Sequence, residues 1–270
     1  GILKKKKTTY NEIRKILSLA YYNKITFIDT ATSYGDSIAK ISKYLIENPD
    51  QKWKIVTKIK GDKKLIEEYY NAKKFFGKNL YCILAHSSKL FFSKNFQDEI
   101  TALRRKKIKI KIGLSVYEKN EIEKSIKCRN KPSLIQLPIN ILDTRLYKSK
   151  ILTKLKSLKI KIHARSVFLQ GLFFLKKDLI RKKFPKSYNY IEEIKYILKK
   201  NGFDLASFSL NWVYHLKEID KVVIGLNNAK QLKQNLEYLN NKIDKQLTNK
   251  ILKKNFVDKK ILNPQSWEKK

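Results

Sequence analysis

At 270 residues and 31.9 kDa, with 42 % hydrophobic residues, the chain suits one large α/β barrel or two small domains and is too apolar for wholesale disorder. Lysine and arginine number 61 against 24 aspartate and glutamate, a formal net charge of +37. Its two cysteines, Cys82 and Cys128, exclude a disulfide framework or a cysteine-based metal site, and no metal ligands are expected.

Such a charge does not by itself assign a partner. Arginine is scarce and lysine is spread through every segment, whereas specific nucleic-acid readers gather arginine forks and stacking aromatics on one patch. A Lys-, Ile- and Asn-heavy composition of the kind AT-rich codons produce accounts for the excess, so no specific nucleic-acid partner is expected. The diffuse charge favours phosphorylated cofactors and substrates in a salt-dependent way. Lys4 to Lys7 runs into polar Thr8-Thr9-Tyr10-Asn11, which is no secretory segment, and no apolar run approaches 18 residues. A cytoplasmic protein away from membranes is expected, as a monomer or weak oligomer. The 8 glycines and 5 prolines are scattered, so a single domain over 1–270 is expected.

In chain order, apolar spacing predicts a first helix over Asn11 to Asn23. A strand over Ile25 to Asp29 then empties into Thr30-Ala31-Thr32-Ser33-Tyr34-Gly35. Helix and strand alternate from there: helix Ser37 to Ile46, strand Ile55 to Lys58, helix Lys64 to Phe76, strand Leu80 to His86. A helix over Phe96 to Lys106 precedes a strand over Ile108 to Ser115; helix Glu118 to Ile126 precedes strand Leu134 to Pro138. Helix Leu146 to Leu158 leads to strand Ile160 to Ser166. After a longer excursion with helices Tyr190 to Lys200 and Leu205 to His215 come strand Val222 to Gly225 and two helices, Ala229 to Leu239 and Lys245 to Leu252. The tail Asn263 to Trp267 is expected as coil over the surface.

Seven strands alternating with helices imply parallel pairing and right-handed crossovers. No G-x-G-x-x-G turn follows any strand, which argues against a doubly wound dinucleotide fold. The expectation is an α/β TIM (β/α)8 barrel. A closed barrel needs eight strands and the helix at Asn11 has none before it. An opening strand is therefore expected upstream of Gly1, in a chain that also lacks methionine. Three successive strands end in Asp29, Lys58 and His86, with Tyr34 just past the first, and barrel strand ends are where reactive side chains gather.

Phe27 to Gly35 resembles the aldo-keto reductase signature D-T-A-x-x-Y-G. The likeness continues in Thr57-Lys58, Leu84-Ala85-His86, Ile112 to Ser115, Ile135 to Asn140, Ala164 to Gly171 and Val223 to Leu236. Seven fragments in the family's order cover nearly the whole chain. The resemblance implies a barrel that reduces an aldehyde or ketone to an alcohol with NADPH, or NADH in its place, acting on a small carbonyl substrate. It places the family's tetrad on Asp29, Tyr34, Lys58 and His86.

Those roles are chemically coherent. Hydride transfer to a carbonyl carbon builds negative charge on oxygen, so a proton must be delivered there. A phenol is a poor acid near neutrality, and an ammonium beside it favours the phenolate left behind. Tyr34 is therefore expected as general acid, Lys58 as its activator, Asp29 as the anchor of Lys58 and His86 as the group that orients the carbonyl.

For the cofactor, the resemblance implies that Ser115 and Gln136 bind the nicotinamide carboxamide, with Asn140 as a looser match. Arg165, Ser166, Phe168, Gln170 and Gly171 would lie along the nicotinamide and pyrophosphate, and Leu226, Asn227, Gln231, Gln234 and Asn235 would form the adenosine pocket. Ile38 stands where the family usually has Glu, Val116-Tyr117 where many members have Ser-Asn, and Arg165 where many stack an aromatic ring. Gln231 replaces an arginine that in many members clasps the 2′-phosphate, a task open to Lys230 or Lys233. The alternative function is a non-catalytic, cofactor-binding regulatory or interaction subunit of the same fold.

Overall fold

The computed structural model describes residues 8–254, 259–262 and 267. Helix α1 (Tyr10–Tyr22) starts where the Thr9 side chain accepts from the Glu12 N–H, and it is followed by β1 (Phe27–Ala31). The series continues through α2 (Ser37–Glu47), β2 (Lys54–Ile59), α3 (Leu65–Phe76), β3 (Leu80–Ala85), α4 (Ser88–Phe92), α5 (Lys94–Arg105) and β4 (Lys111–Ser115). Then come α6 (Lys119–Ser125), β5 (Leu134–Pro138), α7 (Arg145–Lys148), α8 (Ile151–Ser157) and β6 (Lys161–Arg165). The last described elements are α9 (Lys177–Lys183), α10 (Pro185–Lys200), α11 (Leu205–Tyr214), β7 (Lys221–Val222), α12 (Ala229–Tyr238), α13 (Lys245–Lys253) and α14 (Lys259–Leu262). The sheet order is β1-β2-β3-β4-β5-β6-β7, so every strand neighbours its successor in sequence. That order, with helices between parallel strands, is the (β/α)8 barrel pattern with seven strands among the described residues.

The chain groups into two compact units, one of Thr8–Leu137 with Thr153–His163, the other of Pro138–Leu152 with the described residues from Ala164 on. In the first unit the parallel registers run Ala31↔Lys58, Lys58↔Leu84, Leu84↔Gly113 and Gly113↔Leu134. Because side chains alternate along a strand, these residues share one face with Asp29, Val56, Cys82, Ser115 and Gln136. Val56, Cys82, Leu84 and Leu134 form an apolar cluster there, with Phe27 and Tyr81 packed against it. At position 113 only glycine fits: a Cβ would lie 2.0 Å from the Leu134 carbonyl oxygen and 2.7 Å from Leu84 Cδ2.

The first unit's strands curl strongly. Gln136 on β5 donates from Nε2 to Asp29 Oδ2 on β1 at 2.7 Å. In a flat sheet four strand spacings would hold those strands about 19 Å apart. His163 of β6 likewise brings its ring to 5.7 Å from Phe27 of β1, edge to face. Inner side chains of distant strands therefore meet, as a barrel interior requires.

In the second unit α11 is the central element, buried at every position from Leu205 to Val213. Its Ser209 Oγ donates to the Val167 carbonyl at 2.9 Å, Asn211 Nδ2 donates to the Tyr238 carbonyl at 2.8 Å, and Trp212 packs edge-on to Tyr147. The Val223 N–H donates to the Ala164 carbonyl at 2.7 Å, next to the short β7.

Several boundaries differ from those expected, each for a local reason. β1 and β2 continue past Asp29 and Lys58, to Ala31 and Ile59, whereas β3 stops at Ala85, one residue before His86. The alternation Ile108-Lys109-Ile110 is not strand: Lys107 is left-handed at φ 56 and the Ile108 N–H is spent on closing α5. The helix expected over Leu146 to Leu158 is two, split at Lys150, which is left-handed at φ 59. One-turn α4 was hidden in the sequence because Ser87 caps it and Ser93 at once caps α5. α10 begins five residues earlier than expected, at Pro185, a residue suited to a first helical turn, and α9 precedes it. β7 covers Lys221–Val222 in place of Val222 to Gly225. Of the expected tail coil, Asn263 to Ser266 lie outside the described residues.

Candidate active site

Asp29, Tyr34 and Lys58 come together within the first unit. Lys58 is 3 % exposed, and its ammonium makes an ion pair with Asp29 Oδ1. The register explains the contact: Lys58 pairs with Ala31, so Asp29 lies two residues back on the same face, within reach of a four-carbon stem. A buried ammonium without a counterion is costly, and Asp29 supplies one. Lys58 Nζ also lies 5.3 Å from the centroid of the Tyr34 ring, a cation–π distance that leaves the phenol beside the charge.

Tyr34 is 46 % exposed, on the loop that leaves β1. That loop is pinned where it starts: the Thr32 N–H donates to the Lys58 carbonyl at 3.0 Å and the Tyr34 N–H to the Ala31 carbonyl at 3.0 Å. Gly35 then takes φ +59, which lets the chain turn directly into α2. A half-exposed phenol is thus held over a buried cation. His86 is half-buried just past β3, and its backbone N–H donates to the Ile59 carbonyl at 2.9 Å, one residue beyond Lys58.

Ser115 and Gln136 are register partners on β4 and β5, 7 % and 1 % exposed. With Nε2 given to Asp29, Gln136 has its Oε1 left to offer an amide N–H. A hydroxyl and a carboxamide set among apolar strand residues suit a ligand that carries an amide of its own.

The other residues expected to hold cofactor belong to the second unit. Asn140 is fully buried and heavily engaged, its Oδ1 accepting from the N–H groups of Leu142 and Asp143 and its Nδ2 donating to the Ser166 carbonyl at 3.1 Å. Arg165 donates to Ser166 Oγ at 3.2 Å. The stretch after β6 carries unusual backbone: Ser166, Leu169 and Gln170 sit at φ 59, 44 and 55, ahead of Gly171 at φ 92. Left-handed non-glycine residues are uncommon and cluster at ligand clamps. Phe168 stacks edge-on with Phe174 at 5.2 Å. In the loop from Leu226, Gln231 folds back so that its Oε1 accepts from the Asn227 N–H at 2.8 Å, while the Gln231 N–H donates to Asn228 Oδ1. Gln234 is exposed and Asn235 buried on α12.

Glu121, outside the residues expected at the site, braces two of its loops. Its carboxylate accepts from the N–H groups of Tyr117 and Glu118, at 2.7 and 2.8 Å, and from the Ser88 hydroxyl. The loops that follow His86 and Ser115 are tied together through it. The spacing Glu118-x-x-Glu121, a capping box at the start of α6, was the signal available in the sequence.

Against known proteins, the model of the aldo/keto reductase family matches residues 96–255, more than half of the chain. The chain belongs to the aldo/keto reductase family. No curated protein matches it. The match takes in Ser115, Gln136 and every second-unit residue expected to hold cofactor; Asp29, Tyr34, Lys58 and His86 precede it and rest on their own motifs and geometry. Family membership makes the protein a member of an oxidoreductase family that generally uses NAD(P)H. Among the described residues no group of His, Cys, Asp and Glu could hold a metal ion, and no helix is long and apolar enough to cross a membrane.

Proposed function

We propose that this aldo/keto reductase family member reduces an aldehyde or ketone to an alcohol with a reduced nicotinamide nucleotide, NADPH before NADH. The observation that carries the reading is the Lys58–Asp29 ion pair set beneath the Tyr34 ring. A reduced nicotinamide bound there would supply a hydride to the carbonyl carbon. Tyr34 Oη gives its proton to the carbonyl oxygen as charge develops there. The Lys58 ammonium stabilises the phenolate that remains, and Asp29 holds that ammonium in place in a site too dry to leave it alone. His86 donates a hydrogen bond to the carbonyl oxygen and orients it.

Ser115 and Gln136 would hold the nicotinamide carboxamide. Arg165, Ser166, Phe168, Gln170 and Gly171 would line the nicotinamide and pyrophosphate, with Asn140 supporting Ser166. Leu226, Asn227, Gln231, Gln234 and Asn235 would take the adenosine end. With Gln231 turned back on its own loop, Lys230 and Lys233 are the cations on hand for a 2′-phosphate. The substrate is a small carbonyl compound.

Tyr34→Phe tests the acid. Turnover, followed as loss of reduced-nicotinamide absorbance with a panel of aldehydes and ketones, should fall by about 100-fold or more. Cofactor affinity, measured by fluorescence quenching, should stay near the wild-type value. Turnover that survives in Tyr34→Phe removes the acid assignment. A wild-type protein that binds the nucleotide and reduces no member of the panel is the non-catalytic subunit instead.

A further inference from the structure

The two carboxylate oxygens of Asp29 have different partners. Oδ1 faces Lys58 Nζ from β2, and Oδ2 accepts from Gln136 Nε2, on β5, at 2.7 Å. We propose that Gln136 is a positioning residue for proton transfer: by holding Oδ2 it fixes the plane of the Asp29 carboxylate and, through it, the place of the Lys58 ammonium beside Tyr34. This rests on the reductase reading and adds to it a mechanical link between the carboxamide pocket and the acid.

A carboxylate held by one oxygen still turns about its Cβ–Cγ bond. Lysine adds its own freedom, a point charge on a flexible four-carbon stem, so a one-point contact sets distance and leaves direction loose. A second donor, from a strand four places away, removes that rotation. Gln136 suits the task because it is buried in β5 and locked in register with Ser115, so little freedom remains for it to lose. The same amide has Oε1 left for a ligand. One rigid side chain that holds the carboxylate steering Lys58 would thus also hold the nicotinamide carboxamide, and a change at either end would be felt at the other.

Gln136→Met keeps the length of the side chain and removes the donor; Gln136→Glu keeps the shape and sets a second carboxylate against Asp29. Two measurements on the full chain separate positioning from simple contact. The first is kcat at saturating NADPH, set beside NADPH affinity from fluorescence quenching. The second uses protein without nucleotide: brief acetic anhydride labelling, with Lys58 acetylation read by peptide mass spectrometry against exposed lysines. Positioning requires kcat to fall by about 10- to 100-fold even at saturation. It also requires Lys58 to label faster in both variants than in the wild type, since its partner is no longer held. If affinity weakens while kcat and Lys58 labelling stay at wild-type values, Gln136 is a cofactor contact alone and the proposal is overturned. If Lys58 labels faster but the wild-type protein reduces no carbonyl, the reductase reading fails, the positioning role falls with it, and the contact between Gln136 and Asp29 stands.

Discussion

Lys58 is the residue on which both stability and the proposed chemistry turn, because it is a charge almost wholly removed from water. Its counterion is unequally placed: the Asp29 side chain keeps 14 % exposure and a second donor in Gln136, whereas the Lys58 side chain keeps 3 %. Neutralising either partner therefore has unequal consequences. Asp29→Asn strands a buried ammonium and should cost about 3 kcal/mol or more, read from urea unfolding. Lys58→Met substitutes an apolar chain of similar length and leaves a carboxylate that still has Gln136 and some water, so it should cost clearly less. The double variant should recover most of the Asp29→Asn loss, since buried pairs can be replaced by apolar groups with little penalty. All three should lose turnover. Additive unfolding costs would mean that the two groups do not form the buried pair that places the ammonium beside Tyr34.

At the scale of elements, α3 carries a second buried charge with a weaker excuse. Glu68 is 8 % exposed, and burial raises its carboxyl above the usual carboxylate range, with Lys63 opposing the shift and Asp62 and Glu67 adding to it. A carboxyl whose pKa is higher folded than unfolded costs nothing below the unfolded value, about 4.3, where it is protonated in both states. Stability is lost as the pH rises from there through the folded value. Glu68→Gln should therefore match the wild type near pH 4 and unfold at higher urea near pH 7; equal midpoints at both pH values would remove the burial argument. The periodic elements were legible in the sequence because inner-face apolar residues recur at strand and helix spacing, and β5 was found to the residue. What stayed hidden was set by single backbone positions. Lys107 and Lys150, both left-handed, end elements at places where lysine gives no warning. The site divides in the same way. That Asp29, Lys58 and Tyr34 come together was legible because each sits in a motif, while the reach of Gln136 to Asp29 depends on how tightly five strands curl, which no local pattern encodes.

At the scale of the whole molecule, a charge of +37 acts on every anion that approaches. A nicotinamide nucleotide carries its pyrophosphate charge in either form, and the 2′-phosphorylated form carries more, so the diffuse field favours both and favours NADPH further. Specific contacts and diffuse attraction respond differently to salt. At 0.1 M the screening length is about 10 Å, so lysines across the surface are muted while a cation touching the phosphate is muted less. If Lys230 or Lys233 grips the 2′-phosphate where Gln231 does not, the NADPH preference should persist into high salt and shrink in the Lys230→Ala, Lys233→Ala double variant. If the preference comes from the field alone, the NADPH and NADH dissociation constants should converge as salt rises from about 0.05 to 0.5 M, with the double variant behaving as wild type. Fluorescence titrations of both nucleotides across that series decide the matter. The local grip is the expected result, because Lys230 and Lys233, three residues apart, share one face of α12 near its start, where the N-terminal dipole adds to the attraction.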